Sequence, residues 1–235
     1  MVVGDMRTLL SAVPLVAGTV VIAGDEAHHG RSVLRLRVGD ELRVADGAGC
    51  SGIGTVLGMA RDQISVQIDR VDQLVKEAAH QLTVVFAPPK GDRLSDVVRG
   101  LTEIGVGTIR LLECERSERL PGKLDRLQRV AAEALKQCRR AYLPTFGPPA
   151  TIQTLAGAGD ELIVLDRMGS APRQSAPRPL TMVIGPEGGL TVDELALLTA
   201  AGAVAVRIAG PILRIETAAL AAAAVWASAW EHTRS

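Results

Sequence analysis

The sequence predicts an α/β protein in which a mostly parallel, helix-covered sheet follows a smaller β-rich unit. Three observations point there. Hydrophobic residues make up 47% of the 235 residues but aromatics only 2%, so the core is built from Val, Leu, Ile and Ala, as in strands buried on both faces by helices. Short β-prone runs fill residues 19–71, and strand runs alternate with helical spacing from residue 81 onward. A chain of this length carries one or two compact units, and the change of rhythm divides it into 1–74 and 75–235.

In the first unit, "TVVIAG" (19–24), "ELRVAD" (41–46), "GIGTVLG" (52–58) and "QISVQIDRV" (63–71) are separated by glycines and aspartates at hairpin-like spacing, which predicts a small barrel or sandwich. Within "EAHHGRSVLRLRVGD" (26–40), Val33, Leu34 and Leu36 alternate with Arg31, Arg35 and Arg37, keeping several cations outside on a face able to meet phosphates. Polar residues 72–80 join the units. "QLTVVFAPP" (81–89) reads as a buried strand. In "GDRLSDVVRGLTEIGV" (91–106) apolar residues fall at 94, 97, 98, 101 and 104, a helix ending at Gly105. "TIRLLE" (108–113) is a strand, and "PGKLDRLQRVAAEALKQCRRA" (121–141) a long helix with Pro121 near its start. "ELIVLD" (161–166) and "PLTMVIG" (179–185) are strands, separated by a surface loop marked by Ser170, Pro172, Ser175, Pro177 and Pro179. "TVDELALLTAAG" (191–202) is a helix capped by Thr191 and Glu194 and ended by Gly202. "AVAVRIAG" (203–210) is the last strand and "ETAALAAAAVWASAW" (216–230) the last helix. Alternation of this kind implies parallel strands with helical crossovers.

Composition excludes several classes. Twenty-six basic residues balance 26 acidic ones, so the chain lacks the global positive charge of many nucleic-acid binders. Charge is segregated, however. Residues 110–140 hold nine Lys or Arg against five acids, whereas residues 180–235 hold three against five. The basic segment is either a solvated helix face or an RNA-facing one. Cys50, Cys114 and Cys138 are far apart with no His at ligand spacing, so neither a disulfide framework nor a metal site is expected, and a reducing cytoplasmic setting fits. Asp5, Pro14 and the acidic "GDEAHH" interrupt the apolar run at 9–24, arguing against an export signal. The apolar C-terminal run of 13 residues, 218–230, is shorter than the ~20 a bilayer span needs.

"GAGCSG" matches G-x-G-x-x-G through Gly47, Gly49 and Gly52, but a strand rather than a helix follows, so no dinucleotide site is expected. "MVIGPEGGL" (182–190) is more informative. A strand-like run stops at Gly185 and Pro186, places a carboxylate at Glu187, and spends two more glycines, Gly188 and Gly189, which would let the backbone approach a flat ligand. Ligands of open α/β sheets sit beyond the carboxyl ends of strands, so the turns after Leu165, Ile184 and Ile208 are candidates for one pocket. "AGPILRIETA" (209–218) adds Arg214 and Glu216, the latter also suited to the dipole of the last helix.

"IGPEGGL" followed by Glu194, then "ILRIETA", with "KGDR", "LTEIGV" and "RVAAEALKQCRRAYLP" upstream, resembles the small-subunit ribosomal RNA uridine-N3 methyltransferases, a family of the SPOUT class. "GDEAHHGRSVLRLRVGDELRVADGAG" is similar to that family's PUA-like RNA-binding domain. The likeness spans most of the chain, and "GPEGG" with "ILRxETA" is its most specific part. It implies a PUA-like β-barrel over 1–74 and, over 75–235, a methyltransferase domain whose chain forms a trefoil knot. It also implies S-adenosylmethionine as cofactor, a homodimer with the active site near the subunit interface, and small-subunit ribosomal RNA or the assembled small subunit as substrate. The cofactor positions carried over are Leu165, Gly185, Glu187, Gly188, Gly189, Ile208, Gly210, Ile212, Leu213 and Thr217. RNA contacts fall on His29, Arg31, Arg35, Lys90, Arg93, Glu103, Gln137 and Arg140. Arg214 is expected to stabilise the charge that develops on the uracil carbonyls, with Glu216 orienting it or helping to carry the N3 proton away. This chain departs from the family at Arg99 and Gly100, where Gln-Lys is common, and at Arg139, where a small residue is usual. Trp226 and Trp230, four apart on an Ala-rich helix, are expected in a core or a dimer interface rather than stacked on bases. A transfer-RNA methyltransferase of the same class and a non-catalytic RNA-binding protein are the competing readings.

Overall fold

The computed structural model describes residues 6–159, 161–173 and 176–232; Asp5 and Ser175 lie outside them. The chain forms two compact units, residues 1–76 with 132–143 and residues 77–131 with 144–235.

The first unit contains β1 (Thr8–Leu10), β2 (Gly18–Ala23), α1 (Gly24–Ser32), β3 (Glu41–Ala45), β4 (Cys50–Met59) and β5 (Gln63–Gln73). Its five-stranded sheet runs β1-β3-β4-β5-β2, antiparallel except for β1 beside β3. Alternation sends Val20 and Ile22, Leu42 and Val44, and Ile64, Val66 and Ile68 into one core with Leu9 and Leu36. Two register shifts between β4 and β5, at Ile53/Gly54 and Val56/Gly58, bend the sheet around that core. Two elements escaped the sequence pattern. β1 has only three residues. α1 buries only Ala27 and Gly30, so it shows no apolar stripe; its Asp25 and Glu26 in the first turn and His29 and Arg31 in the last match the helix dipole.

The glycines of "GAGCSG" serve the turn between β3 and β4, where Gly47 (φ 68°) and Gly49 (φ 116°) take left-handed backbone. Asp46 organises this turn, accepting from the amides of Ala48 (2.8 Å), Cys50 (2.9 Å) and Leu15 (3.3 Å). Partial burial pushes its carboxyl upward, but those three bonds outweigh burial and hold it below the usual 3.8. A depressed folded-state value stabilises above the unfolded value, and that stability is lost as pH falls through the folded one. Asp46→Ala is therefore expected to cost about 1 kcal/mol or more at neutral pH. In urea titrations the gap from wild type should narrow below pH 3.8; a gap constant down to pH 2 would refute the ionic role.

The second unit contains β6 (Leu82–Phe86), α2 (Arg93–Ile104), β7 (Thr108–Glu113), β8 (Thr145–Phe146), β9 (Ala150–Thr151), α4 (Ile152–Ala156), β10 (Leu162–Ser170), β11 (Leu180–Ile184), α5 (Val192–Ala200), β12 (Val204–Val206) and α6 (Ile215–His232). Its sheet is parallel, ordered β12-β10-β11-β6-β7-β8, with β9 also paired to β7. α2 ends at Gly105. Thr191 and Glu194 form the expected capping box on α5. Trp226 and Trp230 are buried at 5% and 0% exposure, on the face of α6 shared with Ile215, Ala219, Ala222 and Ala223, which places them in the core. β10 runs to Ser170, so that residue belongs to a strand and not to the surface loop.

α3 (Asp125–Cys138) begins in the second unit, and its last turns group with the first. It starts four residues after Pro121, because Gly122 is a poor helix former, and stops where Arg139 takes a left-handed φ of 60°. The buried Lys136 joins these last turns to α1 through Glu26 (3.1 Å) and also meets Glu133 (2.7 Å). Glu26 in turn accepts from the Leu10 amide at 2.9 Å.

Candidate active site

The carboxyl ends of β10 and β11 and the segment after β12 line a single cavity of about 480 Å³, within the range of small-molecule sites. Its walls are residues 164–168, 184–190, 206–209 and 211–213, with Ile215 and Ala218 of α6. Leu165, Gly185, Glu187, Gly188, Gly189, Ile208, Ile212 and Leu213 are therefore on one wall or another, whereas Gly210, Thr217, Arg214 and Glu216 are not.

The glycine turn has a physical explanation. Pro186 to Gly189 closes a four-residue turn through Gly189 N to Pro186 O (2.8 Å), and Gly189 sits at φ 70°, which a side chain rarely tolerates. Gly185 lies against Leu190, leaving a side chain there tight, at 3.1 Å. Gly188 has ordinary room, but its carbonyl accepts from Arg116 Nη1 at 2.9 Å. Glu194 caps α5 with one carboxylate oxygen and accepts from the Glu115 amide (2.8 Å) with the other. Segment 114–117 thus braces the turn from outside the cavity.

Asp166, Arg167 and Met168, which line the cavity, lie in the segment after Leu165 that the sequence marks, but sequence reasoning singled out none of them. Both Leu165 and Ser170 of β10 register with Val206 of β12, so the intervening residues bulge out of the ladder. A glycine within a strand-like run, Gly169, was the available signal.

Glu216, at the first turn of α6, pairs with Arg93 of α2 at 3.1 Å and not with Arg214, so it does not orient Arg214 directly. Arg214 is exposed, between pocket residues Leu213 and Ile215. Arg93 also lies 3.9 Å from Glu187, so its guanidinium is engaged within the domain, with 34% of the side chain exposed. Of the other expected RNA contacts, Arg31, Arg35, Lys90, Glu103 and Gln137 are exposed and His29 is half-buried. Arg140 is only 8% exposed, which removes it from an open RNA-facing wall. Lys90 pairs with Glu118 at 3.3 Å.

No described helix is long and apolar enough to cross a membrane, and no group of His, Cys, Asp and Glu among the described residues is arranged to hold a metal ion.

Residues 63–227 match an RNA methyltransferase domain and residues 22–69 an RNA methyltransferase PUA domain. The chain is 32% identical to ribosomal RNA small subunit methyltransferase E of Mycobacterium bovis, over 98% of this chain and 95% of the relative. It is 30% identical to the protein of that name from Synechocystis, over 90% and 74% of the two chains. A crystal structure of a ribosomal RNA small subunit methyltransferase E from Neisseria gonorrhoeae, bound to S-adenosyl methionine, superposes with a TM-score of 0.87 at 25% identity, covering 96% of this chain and 98% of that one. With its N-terminal β unit, its parallel sheet and three strand-end turns around one cavity, the chain belongs to the ribosomal RNA small subunit methyltransferase E family.

Proposed function

We propose that the protein transfers a methyl group from S-adenosylmethionine to N3 of a uridine in small-subunit ribosomal RNA. The convergence of three separate strand-end turns on one cavity carries this reading. The cavity fits the cofactor. Val164, Leu165, Ile184 and Leu213 offer apolar walls for an adenine, the glycine turn offers backbone polar groups at close range, and Asp166 and Glu187 offer carboxylates to a cationic ligand. When bound, S-adenosylmethionine supplies an electrophilic methyl group on a positively charged sulfur. Loss of the N3 proton leaves negative charge shared with the flanking carbonyl oxygens and frees an electron pair for that methyl carbon; as the new N–C bond forms, the C–S bond breaks and its electron pair goes to sulfur, which loses its charge. Arg214 answers that charge from the cavity's edge, and solvent at the open edge accepts the proton.

The β-rich first unit is the RNA-binding domain and the parallel-sheet second unit the methyltransferase domain, with the trefoil-knotted path the resemblance implies; residues 132–143, expected in the methyltransferase domain, group with the first unit. Exposed Arg31 and Arg35 on the first unit supply phosphate contacts. The enzyme acts as a homodimer. Met168 and Ile212, 84% and 77% exposed beside the cavity, suit cover by a second copy. Cys50, Cys114 and Cys138, none of them in a disulfide, fit a reducing cytoplasm. Incubation with labelled cofactor and small subunits lacking the modification should yield N3-methyluridine at one mapped position. Label appearing instead in transfer RNA, or on another atom of the base, would refute the reading.

A further inference from the structure

We infer that Arg93 is a positioning residue for the cofactor pocket, acting through Glu187 and Glu216, and not a contact to RNA. The inference rests on the methyltransferase reading of that pocket. Arg93 opens α2 and is not itself on the cavity wall. Its Nε donates to the Lys90 carbonyl at 3.0 Å, which fixes the plane of the guanidinium. Its Nη1 donates to Glu216 Oε1 at 3.1 Å, and Nη2 stands 3.9 Å from Glu187 Oε1. Glu187 belongs to the glycine turn, and Glu216 follows Ile215, which lines the cavity. One planar cation therefore ties two walls built from strand ends that are distant in sequence. Glu216 is largely buried, its side chain 17% exposed, and its Oε2 is buried with no hydrogen-bond donor. Without Arg93 its charge would lose its cation in a poorly solvated place.

The guanidinium fork suits this task, since it donates to one carboxylate and a backbone carbonyl while standing within ion-pair distance of a second carboxylate. A lysine ammonium reaches fewer of them and fixes no plane. A positively charged residue serving RNA would leave most of its donors to solvent; here Nε and Nη1 donate within the same domain and Nη2 stands 3.9 Å from Glu187, the side chain staying 34% exposed.

The test compares wild type with Arg93→Gln, Arg93→Lys, Glu216→Gln and the Arg93→Gln/Glu216→Gln pair. It uses cofactor titration calorimetry, methyl-transfer kinetics, and RNA binding without cofactor across a salt series. Arg93→Gln is expected to weaken S-adenosylmethionine binding about tenfold, the scale of one lost charge-assisted bond. The loss should appear in cofactor KM, with kcat at saturation and the salt slope of RNA binding near wild type. Arg93→Lys should recover part of it, and the double variant should be no worse than Arg93→Gln alone, because the two residues act as one unit. Unchanged cofactor affinity with weaker RNA binding and a salt slope smaller by about one ion would make Arg93 a phosphate contact and overturn the inference. So would additive losses in the double variant. If wild type itself fails to bind the cofactor, the functional reading falls and this inference with it; if wild type binds and Arg93→Gln binds equally, the inference falls alone.

Discussion

Arg214→Ala is expected to lower kcat for methyl transfer by about 10²–10³-fold while leaving S-adenosylmethionine affinity within about threefold, the pattern for a group that acts on charge developing in the transition state. The geometry supports both halves. Arg214 immediately precedes α6, and its carbonyl accepts the Ala218 amide at 2.8 Å, which fixes its backbone. Leu213 and Ile215 on either side line the cavity, yet Arg214 itself does not, so its truncation removes little cofactor contact. Glu216, the acid nearest in sequence, is held by Arg93 from another helix, leaving the exposed Arg214 guanidinium to meet an incoming base. Arg214→Lys keeps the charge but loses the planar fork and is expected to fall between the two. Single-turnover rates at saturating cofactor decide the matter. Turnover within threefold of wild type for Arg214→Ala would remove this residue from the chemistry.

Much of the second unit was legible because its signals are local. The apolar spacing of α2, the Thr191 and Glu194 capping box, and the aliphatic runs of β6, β7 and β11 each depend on residues within one turn or one strand. The three cavity turns were legible for a topological reason, since parallel strands deliver their carboxyl ends to one edge. What escaped notice was short, weakly patterned or non-local. β8 and β9 have two residues each, too few for alternation to register. α1 buries too little to show a stripe. The Arg93–Glu216 pair spans 123 positions, and the burial of Arg140 depends on tertiary packing, so no window of sequence could reveal either. Arg139 is a further feature that only the folded backbone reveals. Its left-handed backbone at the end of α3 is a conformation that glycine adopts at no steric cost and that a residue with a Cβ adopts only under strain.

Gly169→Ala is expected to damage both the domain and its cavity, because at this position even a methyl group has nowhere to go. A Cβ there would stand 2.5 Å from Val206 N, 2.6 Å from Ala205 C and 2.7 Å from Val206 C. All three are backbone atoms, so no side-chain rotation relieves the clash; β10 and β12 must separate. That separation strains the Arg207 N to Ser170 O bond (2.8 Å), which closes the ladder beyond the bulge. It also releases the bulge, whose Asp166 accepts from the Met168 amide at 2.6 Å and whose residues Asp166, Arg167 and Met168 form one cavity wall. Overpacking of this kind costs about 1–3 kcal/mol, with the upper end expected where only backbone can yield. Cofactor affinity should drop more than about tenfold, because the wall shifts even in molecules that remain folded. Gly210→Ala supplies the contrast. Its Cβ would enter open space and its φ is not positive, so denaturation midpoint and cofactor affinity should both stay near wild type. If calorimetry finds Gly169→Ala binding S-adenosylmethionine as tightly as Gly210→Ala does, the bulge does not shape the pocket, and the wall must be held by the glycine turn and the start of α6 alone.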